Sequence, residues 1–404
     1  MKIKLLIILF VFTIEISFGQ SLDEYIQMAE KSNPEIEYYE LNYNILKEKV
    51  DEVGNLDNTK FSLGYFIFPP ETRLGAQRLK LGAQQSFPWP GTFEAQKNVI
   101  KYKANQVSYD TDISKISLRY NIKATYYEIY KNLAILNVYK ENKEVLDIYE
   151  NMALGALENN RAKMSDVLKI QTKKNELHSK IFSAFNEMNA YSRQFNRLLD
   201  RNDESVVNVP DSLSILDILM SNDSLISHPV LQKIDAKILV FDKEKELLKY
   251  EEKPKFTAAI DYISVSKRDD LSPEGNGRDI LMPMVGVSVP LFTKQYDAKR
   301  RRLDLSMRQT EIERYNKEKA FKTQLDIAKA KLKNAILQVV AAEKNKDAIQ
   351  RAIDSDLKAY ETGKLDYDNI LRMQLQKIKY QLLEIQGTKD AYVQKAKIEY
   401  LTGK

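Results

Sequence analysis

The side chains that most often carry out chemistry in proteins are scarce in this sequence or far apart. It contains no cysteine and only two histidines, His178 and His228. Disulfides and thiolate metal sites need cysteine, and zinc sites need clustered ligands, so neither is expected. The sequence also has no nucleophile elbow, phosphate loop or HExxH motif. We therefore predict that the protein is not an enzyme, holds no metal and uses no cofactor.

The charged residues indicate solvated helix surfaces. The chain has 62 Lys and Arg against 57 Asp and Glu, and the two signs are interspersed along it. A nucleic-acid-binding protein would concentrate basic residues in one patch. No nucleic acid partner is expected.

The first twenty residues, MKIKLLIILFVFTIEISFGQ, have the pattern of a secretory signal peptide. Lysines at positions 2 and 4 precede a short apolar run, and a polar stretch ends in small residues. The apolar run is about half the roughly 20 residues that a membrane-spanning helix needs. We assign residues 1–20 to export, with cleavage near Gly19 or Gln20.

The remaining chain contains an internal repeat. SNPEIEYYELNYNILKEKV is echoed by SHPVLQKIDAKILVFDKEK, and KFSLGYFIF by KFTAAIDYI, in the same order along the chain. Two further pairs follow, ENNRAKMSDVLKIQ with ETGKLDYDNILRMQ and FNRLL with IEYLT. Such a duplication determines how the whole chain is divided. We predict two structural repeats, residues 21–201 and 215–404, joined by a polar linker at 202–214.

Each repeat contains two segments with the period-two alternation of β-strands. Their hairpins are predicted at residues 60–87 and 255–291. Phe61, Leu63 and Tyr65 share one face of the first strand, while Lys60 and Ser62 share the other. The segments are about nine to eleven residues long, which suits a tilted strand that crosses a membrane. A small soluble sheet packed on helices would alternate in the same way, and alternation alone does not exclude it.

Four strands are too few to close a membrane barrel, which needs about eight or more. An open sheet edge in lipid would leave backbone groups unpaired. Copies of the chain must therefore pool their strands: two copies would supply eight and three would supply twelve. The sequence does not choose between these numbers.

Two very long helices follow the hairpins. No glycine or proline interrupts residues 92–154 or 291–362. At 1.5 Å per residue these helices would be roughly 95–110 Å long, too long for one ordinary domain. They must pack side by side in a bundle or hollow cylinder. Each ends at a turn, after which a second helix returns.

Together the signal peptide, the repeat, the hairpins and the long helices resemble the TolC family of outer-membrane efflux proteins, over nearly the whole mature chain. SLDEYIQMAEKSNPEI is similar to the opening helix of that family. FPWPGTFEAQK is similar to its strand-to-helix junction, and YETGKLDYDNILRMQ to its helix-turn segment. The stretch FPWPG favours the metal-efflux branch of the family.

The resemblance implies a mainly α fold with a membrane β-barrel. Three chains would pool four strands each into a 12-stranded barrel, and their antiparallel helices would form an α-barrel tunnel. The implied function is an outer-membrane exit duct of a tripartite efflux system, which passively passes substrates delivered by an inner-membrane pump and a periplasmic adaptor. The implied location is the outer membrane of a Gram-negative cell, with the helices extending into the periplasm.

The resemblance also assigns roles to three groups of residues. The turns that would dock the adaptor are Asn159, Asn160, Arg161, Thr362, Gly363 and Lys364. The positions that would constrict the periplasmic tip are Asp166, Lys169, Asn369 and Arg372, where the family can have carboxylates. The strand-to-helix junction is Pro88, Trp89, Pro90 and Gly91. From the residues alone, plain helix hairpins are the favoured interpretation of these turns.

Two other functions stay open at this point. The duct could serve type I protein secretion instead of small-molecule efflux, and no residue separates the two. A non-pore helical envelope protein would explain the long helices but not the four alternating strands.

Overall fold

A computed structural model of the protein describes residues 21–159, 161–218, 228–361 and 367–404. The predicted signal peptide lies outside these ranges, as do Asn160, Thr362, Gly363 and Lys364 of the predicted docking turns. The helical unit is drawn from Met1–Pro34, Lys115–Ile226 and Thr323–Lys404, and the strand unit from Glu35–Ser114 and Ser227–Lys322. Each unit takes segments from both predicted repeats, and the duplication itself stays a prediction.

Helices dominate the described residues. The α-helices are α1 (Leu22–Ser32), α2 (Pro34–Glu52), α3 (Thr92–Glu158), α4 (Met164–Leu198), α5 (Pro229–Glu251), α6 (Lys294–Glu361) and α7 (Tyr367–Thr402), with a 3-10 turn at Ile215–Ile218. The long helices α3 and α6 contain 67 and 68 residues. Neither contains a proline, and the only glycine in either is Gly155 of α3, near its end. None of the described helices combines the length and the apolar content needed to cross a membrane.

The opening segment forms two helices where we predicted one. Ser21 caps α1: its Oγ accepts a hydrogen bond from the Glu24 backbone N–H at 3.2 Å, and the Glu24 carboxylate accepts one from the Ser21 N–H at 3.3 Å. Helix α1 ends before Asn33 because Pro34 has no N–H to continue the ladder and disfavours helical geometry in the residue before it. Proline suits the first position of a helix, so α2 begins at Pro34.

The strand unit contains one antiparallel sheet. Its strands are β1 (Lys60–Tyr65), β2 (Glu71–Thr72), β3 (Gly75–Phe87), β4 (Lys255–Val265) and β5 (Ile280–Ser288). Their order is β1-β3-β4-β5, and the two-residue β2 pairs with the start of β3. The four predicted strands are therefore present, although β1 has six residues and β3 thirteen, rather than nine to eleven each. Strands β1 and β5 are the two edges of this path.

The pairing register places alternate residues of each strand on opposite faces of the sheet. Ser62 pairs with Gly82, and Gly82 pairs with Asp261. A Cβ added at Gly82 would lie 2.6 Å from Ser62 Oγ and 2.7 Å from Asp261 Oδ1, so these three positions project to the same side. We call this side the polar face; it consists of Lys60, Ser62, Gly64, Lys80, Gly82, Gln84, Ser86, Lys255, Thr257, Ala259, Asp261, Ile263, Ile280, Met282, Met284, Gly286 and Ser288.

The opposite side, the apolar face, is exposed in the single chain. It includes Phe61, Leu63, Tyr65, Leu81, Ala83, Phe256, Ile260, Tyr262, Leu281, Val285 and Val287. Phe61, Leu63 and Val285 leave 82%, 72% and 84% of their surface exposed. A shallow depression of about 420 Å³ is lined mainly by members of this face around Ala83. Large exposed apolar surfaces mark membrane or protein contacts.

The helical unit has a conventional buried core near the starts of α4 and α7. Leu146, Ile170 and Ile370 are completely buried there, and Val167 and Leu371 nearly so. A polar contact crosses this core: Gln374 Nε2 donates to Asn142 Oδ1 at 2.6 Å. Both amides are buried. The hydrogen bond between them matters because a buried polar group without a partner destabilises the folded protein.

Candidate functional sites

The strand-to-helix junction is a sharp turn in the strand unit. Gly91 has a φ of +89°, a value that favours glycine because it has no Cβ. The turn is closed by Thr92, whose hydroxyl donates to the Trp89 carbonyl at 2.6 Å, and the Ala95 N–H donates to the Gly91 carbonyl at 3.0 Å. Pro88 and Pro90 flank the chain's single tryptophan and cannot donate to a strand ladder. The chain therefore leaves β3 and enters α3 within four residues.

One aromatic stack packs against this turn, and a second aromatic ring lies close to its glycine. The Trp89 ring stacks on Phe256 of β4, with centroids 5.8 Å apart. A side chain at Gly91 would lie 2.8 Å from the Tyr250 ring. Aromatic side chains of this kind suit the boundary between an apolar and an aqueous region. Beside them is a polar cavity of about 410 Å³, lined among others by Asp57, Trp89, Tyr250, Glu251, Lys255 and Lys299.

The predicted docking turn between α3 and α4 is partly described. The Asn159 side chain donates to the Gly155 carbonyl at 2.7 Å, and the Arg161 N–H donates to the Ala156 carbonyl at 2.8 Å. These bonds satisfy carbonyls at the end of α3 that have no partner within the helix. The Arg161 side chain is exposed. Asn160 and the second turn, with Thr362, Gly363 and Lys364, lie outside the described residues.

The predicted constriction residues form an ion-pair cluster around Asp368, a carboxylate that was not among the predicted site residues. Lys169 Nζ lies 3.0 Å from Asp368 Oδ1 and 3.9 Å from Asp166. Arg372 lies 2.7 Å from the other oxygen of Asp368 and donates to Asn369 Oδ1 at 3.2 Å. We call Asp166, Lys169, Asp368, Asn369 and Arg372 the return-helix cluster. Two acidic and two basic groups make it electrically balanced.

The pKa values in the cluster follow from these contacts. The hydrogen bond from Lys169 lowers the pKa of Asp368 below its ordinary value, and the same bond raises the pKa of Lys169. Asp166 has a further structural role, because its carboxylate accepts from the Lys163 N–H at 3.2 Å at the start of α4. An acidic residue in a first helical turn also suits the helix dipole. Asp368 could have been found from its i,i+4 spacing to Arg372.

The two histidines have local structural contacts. His228 is fully buried, and its Nδ1 accepts from the Val230 N–H at 3.1 Å as the cap of α5. The His178 ring packs against Phe182, with centroids 4.9 Å apart. Within the described ranges, no group of three or more His, Cys, Asp or Glu side chains is placed to hold a metal ion.

The outer helices of the strand unit carry apolar stripes. In α2 the exposed residues Tyr38, Leu41 and Ile45 recur at helical spacing. In α6 the exposed Leu305, Ile312 and Tyr315 do the same. Ion pairs link α5 to two other helices: Lys233 to Asp110 of α3 at 2.5 Å and Lys245 to Asp304 of α6 at 2.6 Å.

Comparison with known proteins identifies the fold. No protein-family model matches the sequence, and no curated protein matches it. Solved structures do match. A structure of CusC, studied in connection with transmembrane channel formation, superposes with a TM-score of 0.75 at 12% identity, over 95% of this chain and 92% of that chain.

Two further structures agree. The outer-membrane protein VceC of Vibrio cholerae gives a TM-score of 0.74 at 10% identity, over 95% of this chain and 96% of that chain. The open MtrE outer-membrane channel of Neisseria gonorrhoeae gives 0.74 at 12% identity, over 95% and 88%. The mainly α fold with long helices and a four-stranded sheet, which the resemblance to the TolC family predicted, is therefore confirmed. This chain has the fold of these outer-membrane channels.

Proposed function

We propose that the protein is an outer-membrane exit duct, in which three chains pool their strands into a 12-stranded barrel and their helices into a tunnel. The observation that carries this proposal is the sheet of the strand unit. It has one polar face, one exposed apolar face and two edge strands, β1 and β5. A barrel formed from several copies would place the apolar face in lipid and pair every edge.

The alternation of the faces supports a barrel with a watery interior. No charged side chain occurs on the apolar face, whereas lysines and an aspartate occur on the polar face. Apolar-out and polar-in alternation is typical of transmembrane barrels. A sheet packed on a soluble core would bury its apolar face instead of exposing it.

The helical surfaces of the strand unit support assembly independently of the sheet. The apolar stripes on α2 and α6 have no cover within the unit. Contact between α2 of one copy and α6 of the next would bury both stripes in a ring of helices. Burying apolar surface contributes roughly 25 cal/mol per Å², so such a ring is a favourable assembly.

We further propose that the duct works with a periplasmic adaptor and an inner-membrane pump, which supplies the energy. The resemblance to the TolC family suggests these partners, and the exposed side chain of Arg161 is available to a docking protein. The same outlet could serve the type I secretion of proteins. A non-pore helical spacer would leave the two-faced sheet without a role.

Engineered disulfides between edge strands test the barrel. The chain has no cysteine, so there is no background reaction. Within one chain, β1 and β5 are separated by three strand spacings, about 14 Å, which is too far for a disulfide. We expect Ser62→Cys combined with one of Met282→Cys, Met284→Cys, Gly286→Cys or Ser288→Cys to form covalent trimers in the membrane fraction.

The single-cysteine variants are the controls and should stay monomeric on a denaturing gel. The barrel proposal would be overturned if none of the double variants formed a covalent oligomer and the protein were recovered from the soluble periplasm. Docking is tested separately by Arg161→Glu, which we expect to weaken co-purification with the adaptor while leaving the covalent trimers intact. Unchanged co-purification would remove Arg161 from the docking surface.

A further inference from the structure

The charges on the polar face are unevenly compensated. This face carries three lysines, Lys60, Lys80 and Lys255, against one carboxylate, Asp261. Lys80 and Asp261 neutralise each other: Nζ of Lys80 lies 2.6 Å from Asp261 Oδ2, and only 5% of Asp261 is exposed. The pair lies beside Gly82, where a side chain would collide with Asp261.

Lys255, at the base of the sheet, also has acidic neighbours. It shares the polar junction cavity with Asp57, Glu251 and Lys299. Glu251 pairs with Lys299 at 3.1 Å, and Asp57 and Lys255 are the other two charged residues that line this cavity. The base of the sheet is therefore electrically balanced.

The loops at the other end of the sheet are balanced as well. Residues 66–78 and 266–279, which include β2 and the first four residues of β3, contain five basic and five acidic residues. Arg268 pairs with Asp270 at 2.5 Å, and Arg78 donates to Ser266 Oγ at 3.3 Å from a bulge in β3. These loops add no net charge to the polar face.

Lys60 is the charge that remains. It is exposed at the start of β1, directly opposite Gln84 of β3, which is uncharged and also exposed. Within the part of the chain that the structure describes, no carboxylate lies at ion-pair distance from it. The level of Lys60, Gln84 and Ala259 thus carries one uncompensated positive charge per chain.

We infer that Lys60 makes the lumen of the duct attractive to anionic solutes and less permeable to cationic ones. The inference rests on the proposed function, because only a closed barrel turns the polar face into a lumen. Three chains would then place three lysines around the lumen at one level. Charges on the wall of a cleft raise the local concentration of oppositely charged solutes.

The size of this effect depends on salt. The Debye length is about 10 Å at 0.1 M ionic strength, so Lys60 acts mainly on solutes that pass near the wall. For a group about 6–7 Å from the lysine, Coulomb's law in water with this screening predicts roughly a threefold difference between monovalent anions and cations. The difference should grow at lower ionic strength.

The test measures the local potential with a single engineered thiol. Gln84→Cys places the thiol opposite Lys60, and Leu63→Cys places one on the apolar face as a control. Cells or purified trimers are treated with a negatively charged sulfonate methanethiosulfonate and, separately, with a positively charged trimethylammonium one. We expect the Gln84→Cys thiol to react and the Leu63→Cys thiol to be protected by lipid or detergent.

Lys60 is then varied in the Gln84→Cys background. We expect Lys60→Gln to lower the ratio of the anionic to the cationic reaction rate about threefold at 0.1 M salt, and Lys60→Arg to leave the ratio unchanged. If the Gln84→Cys thiol reacts but Lys60→Gln leaves the ratio of its anionic to cationic reaction rates unchanged, the inference is overturned. The proposed duct would not be affected by that result. Equal reactivity of the thiols at 84 and 63, or no reaction at 84, would overturn the duct and the inference with it.

Discussion

The sheet of the strand unit exposes large apolar side chains, whereas the helices that carry the return-helix cluster bury several of theirs. In the sheet, Phe61, Leu63 and Val285 leave 72–84% of their surface exposed. Beneath the return-helix cluster, Ile170 and Ile370 are completely buried, and the charges above them pair within one chain. The helical end is completed by its own chain. In the proposed duct, lipid and other copies would complete the sheet.

The largest effect should come from the buried side of this comparison. We expect Ile170→Ala to lower the free energy of unfolding by about 2–5 kcal/mol, because it removes a fully buried side chain and leaves a cavity. Leu168→Ala, on the same helix but 54% exposed, should change it by less than about 0.5 kcal/mol. Denaturant titration of the purified protein measures both. Similar losses from the two variants would show that the helical end is not packed as described.

A charge on the apolar face should destabilise the protein only in the membrane. We expect Val285→Lys to cost about 2–4 kcal/mol of stability in lipid vesicles, the range for lysine at the midplane of a barrel's lipid-facing surface. Met284→Lys places the same charge one residue away on the polar face and should be tolerated. Urea unfolding in vesicles gives the two values, and the assignment of the faces fails if Met284→Lys is the more damaging variant.

The junction should tolerate substitution less well than an open helical site. Gly91→Ala is expected to cost about 1–3 kcal/mol, because its φ of +89° is strained for alanine and the new methyl group meets Tyr250. Gly155→Ala is the matched control, since it lies in α3 with no atom within 4 Å of the added carbon. It should stabilise the protein by up to about 1 kcal/mol. Thermal unfolding of both variants distinguishes strain from a general intolerance of alanine.

The smallest effect should come from the exposed ion pairs. We expect Asp368→Asn to cost less than about 1 kcal/mol, because its pairs with Lys169 and Arg372 lie in solvent. The pKa of Asp368 is lowered in the folded protein, so its contribution is present above the ordinary aspartate pKa of about 3.9 and is lost as pH falls through the folded value. The raised pKa of Lys169 keeps the pair until pH rises through that lysine's folded pKa.

Stability measured against pH checks this sign. The wild-type curve should fall at the acidic end more steeply than the Asp368→Asn curve, and high salt should reduce the difference at neutral pH. Parallel curves would mean that the return-helix cluster contributes nothing to folding.

Much of the fold could be predicted because the sequence has periodic apolar patterns and long stretches bounded by glycine or proline. The uninterrupted stretches after residues 92 and 291 predict the long helices, and the alternation around Lys60 and Phe256 predicts the strands. The break at Asn33 was missed although Pro34 is visible in the sequence, because the helical pattern continues on both sides. The uneven strands β1 and β3 depend on pairing across the sheet, which no single segment encodes.

The candidate sites were less predictable because they depend on register. Sequence grouped Lys60 with Ser62, but only the pairing of β1 with β3 shows that Gln84 lies opposite Lys60. The compensation of Lys80 by Asp261 involves residues 181 positions apart. Asp368 was not predicted because the resemblance assigned roles to positions 369 and 372 and none to position 368. The roles of Asn159, Arg161 and the undescribed turn at 362–364 in docking stay predictions.

The mass of the assembly extracted by detergent, taken together with the cell fraction that contains it, distinguishes a pooled barrel from an open sheet. We expect three chains per particle, recovered from the outer membrane. A monomer recovered from the soluble periplasm would contradict it, because the sheet would then stay open at β1 and β5 with its apolar face in water.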